Sequence, residues 1–159
     1  MKINTLNMFL IITIALCYSY NAGAQNSSKV KDEKSFVKYS DAALAIMEKK
    51  AKEQSIIGVA IVGFIPGEKT STWVTKMKVV GVLSTAKINY LAIACCKASE
   101  MAVTLQNSGI DKSRKPLEGE LGYQGGLIIK VKTGYIFAVF SGGSSEQDVK
   151  LSQEGLNAL

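Results

Sequence analysis

Histidine is absent from this 159-residue chain, and that absence excludes a large part of enzyme chemistry. Histidine is the usual general base near neutral pH, a common ligand of transition metals and the usual proximal ligand of haem iron. Catalysis by a Ser-His-Asp or Cys-His arrangement is therefore excluded. No paired acid and base at a characteristic spacing takes its place, so the sequence indicates no catalytic residue.

Cysteine is scarce, with three in the chain. Cys17 lies in the N-terminal segment, and the other two, Cys95 and Cys96, are adjacent. Neighbouring cysteines cannot close an ordinary long-loop disulfide, so we interpret one or both of them as small apolar residues of a helix core. A redox or metal-binding pair is the alternative, but the second group of ligands that a zinc site needs is missing from the sequence.

Long apolar runs are also rare, and the N-terminal one is short. Residues 8–16 are apolar, follow Lys2 and precede the small residues at positions 22–24. This layout is typical of a secretory signal peptide cleaved after Ala24. A spanning helix needs about 20 apolar residues, so we expect no transmembrane anchor and an exported, periplasmic or extracellular protein. Lipidation of Cys17 is an alternative that the bulky residue before it disfavours.

The part of the chain after the predicted signal peptide is long enough for one domain. Removing residues 1–24 leaves 135 of the 159 residues, a length that suits a single compact core. We interpret residues 25–34 as a polar lead-in and 35–159 as the domain. Loss of Lys2 lowers the formal net charge from +6 to +5. The excess is scattered, so we expect no nucleic-acid partner, although a small anionic ligand is compatible with it.

Hydrophobic periodicity predicts three helices and four strands. The order is helix, two strands, helix, two strands, helix, which favours an α+β domain with an antiparallel sheet flanked by helices. The expected helices cover 36–52, from 84 or 85 to 106, and from 144 or 145 to the C-terminus. The expected strands cover 56–65, 70–79, 127–131 and 135–140.

The turn before the last helix is the most distinctive local feature. Ser141, Gly142 and Gly143 end a strand, and we expect the glycines to supply the positive φ of a sharp turn. Free N–H groups at the start of the helix would favour an anion. Glu146 and Asp148 in its first turn could satisfy the same groups from within the chain. The sequence therefore leaves a ligand site and a self-capped turn both open.

Four short motifs give the chain a resemblance to a known family. They are AxxKA at 94–98, GGLII at 125–129, SGGSSEQD at 141–148 and EGL at 154–156. Together they resemble the GlcG/HbpS family, also called the haem-binding or haem-degrading-domain family. The resemblance implies an α/β sandwich with an antiparallel sheet that often forms homo-oligomers. The chain departs from the family at Gly63-Phe64, Glu100 and Leu127-Ile128, where aspartate, threonine and proline are usual.

Three functional hypotheses follow from the residues and the resemblance. The first, which the resemblance implies, is an exported module that binds haem or a related tetrapyrrole. Without histidine, its weak metal-ligand candidates are Tyr123, Cys95 and Cys96. The second is an oligomeric interaction protein, and the third is an enzyme acting on a small organic acid. The ligand-binding candidates are Tyr123, Gly125, Gly126, Ser141, Gly142, Gly143, Glu146 and Asp148.

A homo-oligomer is also expected, because Ala94, Ala98 and Ala102 form a stripe of small residues that suits close helix contact. The family associates in the same manner, through its helices. The competing arrangement packs this stripe wholly on the chain's own sheet.

Export predicts the N-terminus of the mature protein. Protein recovered from its own host should begin at Gln25, because Ala22 and Ala24 fit the small-residue requirement of the peptidase. N-terminal sequencing and intact mass of the membrane and soluble fractions measure this. An intact Met1, or a diacylglyceryl group on Cys17, would contradict the prediction.

Overall fold

The computed structural model of the chain describes residues 28–159, so the predicted signal peptide at 1–24 lies outside the described residues. The fold is α+β, as the periodicity predicts, and the elements occur in the expected order. They are α1 (Glu33–Glu53), β1 (Gly58–Pro66), β2 (Val74–Val80), α2 (Tyr90–Thr104), β3 (Gly126–Val131), β4 (Gly134–Ser141) and α3 (Ser145–Ala158).

The strands form one antiparallel sheet in the order β2-β1-β4-β3. Two hairpins, β1–β2 and β3–β4, are joined side by side through pairing of β1 with β4. Helices α1 and α3 pack on one face of the sheet, and α2 packs on the other. The sheet therefore has a hydrophobic core on each face.

The central strand β1 is apolar along its length because it serves both cores. Ala60, Val62 and Phe64 point into the core beneath α1 and α3. Val59 and Ile61 point into the core beneath α2. Successive side chains of a strand face opposite sides of the sheet, so a strand that is buried on both sides needs no polar alternation.

Helix α2 begins later than its periodicity predicts. Residues 84–89 form a tight turn in which Thr85 N donates to Ile88 O at 2.7 Å. The helix starts after Asn89, whose side-chain oxygen accepts a hydrogen bond from Ala92 N at 2.9 Å. Asparagine is a strong N-cap residue, so this cap sets the boundary at Tyr90 even though Ile88 continues the helical spacing.

The described start of the chain packs against its end. Val30 is buried, and its N–H donates to Leu159 O at 2.8 Å. Helix α1 begins at Glu33, inside the predicted lead-in at 25–34, with Asp32 as its N-cap. None of the helices between residues 28 and 159 is both long and apolar enough to cross a lipid bilayer.

Gly63 makes room for an aromatic ring in the core beneath α2. Its cross-strand partner is Phe137, and a Cβ atom on residue 63 would overlap the Phe137 ring. That ring also contacts Trp73, with ring centroids 5.5 Å apart and the planes tilted by 41°. Gly63 thus holds an aromatic pair that contains the sole tryptophan of the chain.

Substituting Gly63 should disturb this pair. We expect Gly63→Ala to lower the free energy of unfolding by about 1 to 3 kcal/mol, because the added methyl group overpacks a well-filled core. The tryptophan emission spectrum should change, since Trp73 rests on the displaced ring. Urea unfolding followed by fluorescence measures both effects. In a Phe137→Leu background, Gly63→Ala should lower the free energy of unfolding by a smaller amount. If the effects of the two substitutions on that free energy simply add, the proposed contact is contradicted.

Candidate ligand-binding cleft

A lysine lies on the buried face of helix α2. Ala94, Lys97, Ala98 and Met101 follow one another at helical spacing and pack toward the sheet. The alanines let the helix approach the sheet closely. Because Lys97 lies on the same helix face, it is buried with them. Lys97 is only 3% exposed. Because a charged side chain is almost never buried without a partner, its surroundings need an acceptor.

The partner comes from the first turn of helix α3. Ser144 is the N-cap of that helix, and it forms a capping box with Gln147, whose Oε1 accepts from Ser144 N at 2.9 Å. Asp148 follows, is 4% exposed, and accepts a hydrogen bond from Gly143 N at 2.8 Å through Oδ1. The turn is therefore self-capped, and its acidic residue is aimed into the protein.

Lys97 and Asp148 form a buried ion pair. Lys97 Nζ lies 2.7 Å from Asp148 Oδ2 and donates a second hydrogen bond to Phe140 O at 2.9 Å. Burial lowers the pKa of Lys97, and the attraction of Asp148 opposes that effect. Burial likewise raises the pKa of Asp148 against the attraction of Lys97 and the N–H groups of Gly143 and Gly142. For both groups, desolvation is the largest single cause.

Neighbouring atoms crowd the four glycines near this pair. A Cβ atom on Gly142 would overlap Ile57 O, and one on Gly125 would overlap Lys97 Nζ. A Cβ atom on Gly126 would lie 2.8 Å from Met101 Sδ. Among these four glycines, at positions 125, 126, 142 and 143, only Gly125 has a positive φ, at 132°. The expected positive φ at Gly142 and Gly143 is thus wrong, and crowding against β1 explains Gly142 instead.

The ion pair lies in the wall of an open cleft of about 170 Å³ between α2, the end of β4 and the start of α3. The cleft combines apolar side chains with hydroxyl, amide and charged groups, so it can contact both ends of a small polar molecule. Its lining residues are Ile88, Tyr90, Ile93, Lys97, Tyr123, Gln124, Ser141, Gly142, Gly143, Ser145 and Asp148.

The structure brings most of the predicted ligand-binding residues together. Tyr123 and Asp148 line the cleft together with all three residues of the turn at 141–143. Gly125 lies directly behind the cleft, against the ion pair. Gly126 packs on Met101 instead, and Glu146 is exposed outside the cleft lining. Whether the lining residues contact a ligand remains a prediction.

Lys97 is the important residue that the sequence reasoning missed. It belongs to the AxxKA motif, which we interpreted only as part of a family resemblance and not as part of a site. The available signal was its position: it shares a helix face with Ala94, Ala98 and Met101. A lysine inside an apolar stripe indicates a buried charge that needs a partner. Tyr90, buried at the cleft wall, was also missed.

The adjacent cysteines lie outside the cleft lining. Cys95 is exposed and Cys96 is half-buried, and both thiols are free. Cys95 is therefore not a core residue, which corrects that part of the interpretation. Partial burial, with a contribution from Cys96, raises the pKa of the Cys95 thiol and disfavours the thiolate that binds metals. Residues 28–159 contain no cluster of three or more histidine, cysteine or acidic side chains able to hold a metal ion.

The loop from 105 to 125 carries Tyr123 and Gln124 to the cleft, and buried polar side chains hold it. Glu100 Oε1 accepts a hydrogen bond from Gly109 N at 2.8 Å. Further along, Arg114 pairs with Glu120 at 2.7 Å. A loop of this length without helix or strand is uncommon and is often functional. These contacts fix its shape next to the ion pair.

The small-residue stripe of α2 packs on the chain's own sheet. Ala94 and Ala98 are buried in the core beneath α2, and Ala102 is packed against that core. They are therefore not a free helix surface within the described residues. Homo-oligomerisation remains a prediction that rests on the resemblance.

Comparison with solved structures identifies the class of fold. The chain is similar to the Klebsiella pneumoniae protein ORFY, of family DUF336, with a TM-score of 0.56 and 17% sequence identity over 86% of this chain and 97% of that one. DUF336 is the GlcG-like family, so the predicted resemblance holds at the level of the fold. No protein-family model and no curated protein sequence matches the chain.

Breaking the ion pair should destabilise the domain. We expect Lys97→Met to lower the free energy of unfolding by about 3 to 5 kcal/mol, because it leaves Asp148 charged and buried without its partner. The double variant Lys97→Met, Asp148→Leu should recover much of that loss, since burial opposes the charged form of both groups.

The matched control is Lys130→Met, which removes an exposed pair with Glu68. Exposed pairs contribute about 0 to 1 kcal/mol, so this variant should unfold almost as the wild type does. Denaturant unfolding of all four proteins measures the differences. Equal stabilities of Lys97→Met and Lys130→Met would contradict burial of the Lys97 charge.

Proposed function

We propose that this protein is an exported module that binds a small ligand in the cleft beside Lys97 and Asp148. One observation carries the proposal: a buried, charged hydrogen-bonding pair lies in the wall of an open cleft. Well-packed apolar residues often serve stability as well as a buried ion pair does. Perturbed charged groups in clefts are also typical of functional sites. Export rests on the sequence of residues 1–24 alone.

The hydrogen bonds of Lys97 indicate the kind of ligand. A lysine ammonium has three N–H donors. Two of them meet Asp148 Oδ2 and Phe140 O, and within residues 28–159 the third has no protein acceptor in the hydrogen-bond network. A ligand with a carbonyl, carboxylate or hydroxyl oxygen would accept the third hydrogen bond of Lys97. The formal net charge of the chain without residues 1–24, +5 after loss of Lys2 from the +6 of the full sequence, favours an anionic ligand among these.

The size of the cleft limits what it can enclose. A water molecule occupies about 30 Å³ of liquid, so 170 Å³ accommodates roughly six groups of that size. Drug-sized ligands occupy pockets of about 300 to 1,000 Å³. We therefore propose a ligand that is small or that extends out of the cleft opening.

Retention of a ligand from the host tests the proposal. Wild-type protein purified from its own host without denaturation should carry a bound small molecule in native mass spectrometry, which also reports the subunit count. Ser145→Phe should lose it, because the new ring fills the cleft from its rim. Gln153→Phe is the control, since Gln153 is exposed further along α3 and is not a lining residue. Equal retention by both variants would place the ligand elsewhere.

A tetrapyrrole is the second candidate ligand, and Tyr123 is the observation that favours it. Tyr123 is 53% exposed and lines the cleft, so its phenol is accessible from solvent as the candidate ligand for haem iron. The other metal-ligand candidates, Cys95 and Cys96, do not line the cleft. In this arrangement the macrocycle is held at the surface and is not enclosed.

A haem titration separates specific binding from adsorption. If Tyr123 ligates iron, the visible spectrum should saturate at a fixed ratio per subunit and should shift in Tyr123→Phe, because tyrosinate ligation is lost. The double variant Cys95→Ser, Cys96→Ser is the control and should keep the wild-type spectrum. Uptake that never saturates would mean that haem only adsorbs to the surface.

An interaction protein is the second candidate function, favoured by exposed apolar side chains on α2 and the loop after it. Val103 is 63% exposed, and Ile110 and Leu117 are exposed by more than half. Exposed apolar groups of this kind mark binding surfaces when they are contiguous. A stable oligomer whose subunits carry no bound small molecule in the native mass spectrum would favour this function.

A further inference from the structure

We infer that Lys97 captures its ligand covalently: its amine forms a reversible imine with a small aldehyde or 2-oxo acid bound in the cleft. The inference deepens the proposed function and rests on it. It assigns a chemical class, the carbonyl compounds, to the ligand. It also assigns separate roles to the two partners of the buried pair.

The first argument is the geometry around the nitrogen. Asp148 Oδ2 at 2.7 Å and Phe140 O at 2.9 Å occupy two of the three outward positions on Lys97 Nζ. When the amine is neutral, its two hydrogens can keep both acceptors. Its lone pair then takes the third position, and Lys97 is itself part of the cleft wall. The same two contacts that hold the ammonium would therefore orient the nucleophile.

The second argument is the presence of a proton carrier at hydrogen-bonding distance. The proton that Lys97 must lose before it attacks is the third one, which neither acceptor holds, and water takes it. Gly143 N donates to the other carboxyl oxygen of Asp148 at 2.8 Å and so keeps Oδ2 facing the nitrogen. The nitrogen then forms a bond to the carbonyl carbon. After this addition both nitrogen hydrogens pass to the former carbonyl oxygen, one of them by way of Asp148. The oxygen leaves as water, and a C=N bond remains. Carbonyl compound and amine give imine and water, with no oxidant or reductant.

Burial supports the neutral amine. Desolvation lowers the pKa of Lys97, which favours loss of its third proton. Desolvation also raises the pKa of Asp148, which favours its accepting a proton from the nitrogen after addition. The pKa of an exposed lysine in an ion pair shifts in the opposite direction. The hydrogen bond of Lys130 to Glu68, for example, raises the pKa of Lys130. Lysines desolvated in apolar surroundings are the ones that act as nucleophiles.

The rest of the lining suits a short carbonyl compound. Ile88 and Ile93 offer apolar contact for a methyl or methylene group, while Ser145 and Gln124 offer polar groups for a carboxylate or hydroxyl. The volume of 170 Å³ fits a compound of a few carbon atoms. These features favour a small aldehyde or 2-oxo acid over a larger sugar.

Reductive trapping tests the inference. Native protein is incubated separately with glyoxylate, pyruvate and acetaldehyde in the presence of sodium cyanoborohydride, which makes an imine permanent. Peptide mass spectrometry then locates the adduct. With at least one of these probes we expect modification of Lys97 in clear excess over Lys130, because burial lowers the pKa of Lys97 while the hydrogen bond to Glu68 raises that of Lys130. Adducts confined to exposed lysines with all three probes would overturn the inference.

Two variants separate the site from surface chemistry. Ser145→Phe keeps the ion pair and should abolish the adduct at Lys97 by blocking the cleft. Gln153→Phe should leave it at the wild-type level. An adduct at Lys97 that is equal in both variants would overturn capture from within the cleft. Circular dichroism and thermal unfolding confirm that both variants are folded.

A measurement without the reductant distinguishes failure of the inference from failure of the proposed function. Saturation-transfer NMR reports reversible binding of the same three compounds. Saturable binding that Ser145→Phe removes, with no trapped Lys97, would overturn covalent capture and leave the small-ligand function standing. Neither binding nor trapping with any probe would contradict the carbonyl ligand class, and a bare native mass would contradict the proposed function itself.

Discussion

The buried ion pair between Lys97 and Asp148 is the contact around which the site is organised. Neither charge can remain in the interior without the other, since desolvating an isolated ion costs several kcal/mol. The pair joins the middle of α2 to the first turn of α3, and through Phe140 O it also holds the end of β4. Helix α2 thus meets two consecutive elements of the C-terminal part of the chain, β4 and α3, at one nitrogen atom.

The surrounding backbone is shaped to let those atoms meet. Gly125 lies against the lysine nitrogen, and Gly142 lies against the carbonyl oxygen of Ile57, where a Cβ atom on either residue would overlap. The alanines of α2 bring its helix axis close to the sheet, so that a side chain as long as Lys97 reaches the end of β4. The small residues on both sides therefore allow the ion pair to form, and the cleft is the space that remains beside the pair.

Local patterns predicted the fold well, because helix and strand periodicity depends on neighbours in sequence. The element order and the α+β class both follow from such patterns. The start of α2 did not, because the capping of Ala92 N by Asn89 outweighs the apolar spacing that continues upstream.

The site was predicted only in part, because its decisive contacts are long-range. The turn at 141–143, Tyr123 and Asp148 stand out by composition, and they line the cleft. Lys97 does not stand out, since its burial depends on an aspartate 51 residues away. The role of Gly142 depends on the carbonyl of Ile57 in another part of the chain. Rules based on neighbouring residues cannot predict either contact, because each joins residues that are far apart in the sequence.

Hydrogen exchange at the lysine side chains tests the central claim most directly. In ¹⁵N-labelled protein near neutral pH, the Nζ hydrogens of exposed lysines exchange with water too fast to observe. The account predicts one protected Nζ resonance, assigned to Lys97 by its proximity to the Hα atoms of Gly125. A folded protein in which the Lys97 side chain exchanges as fast as Lys130 would contradict a buried ion pair beside the cleft.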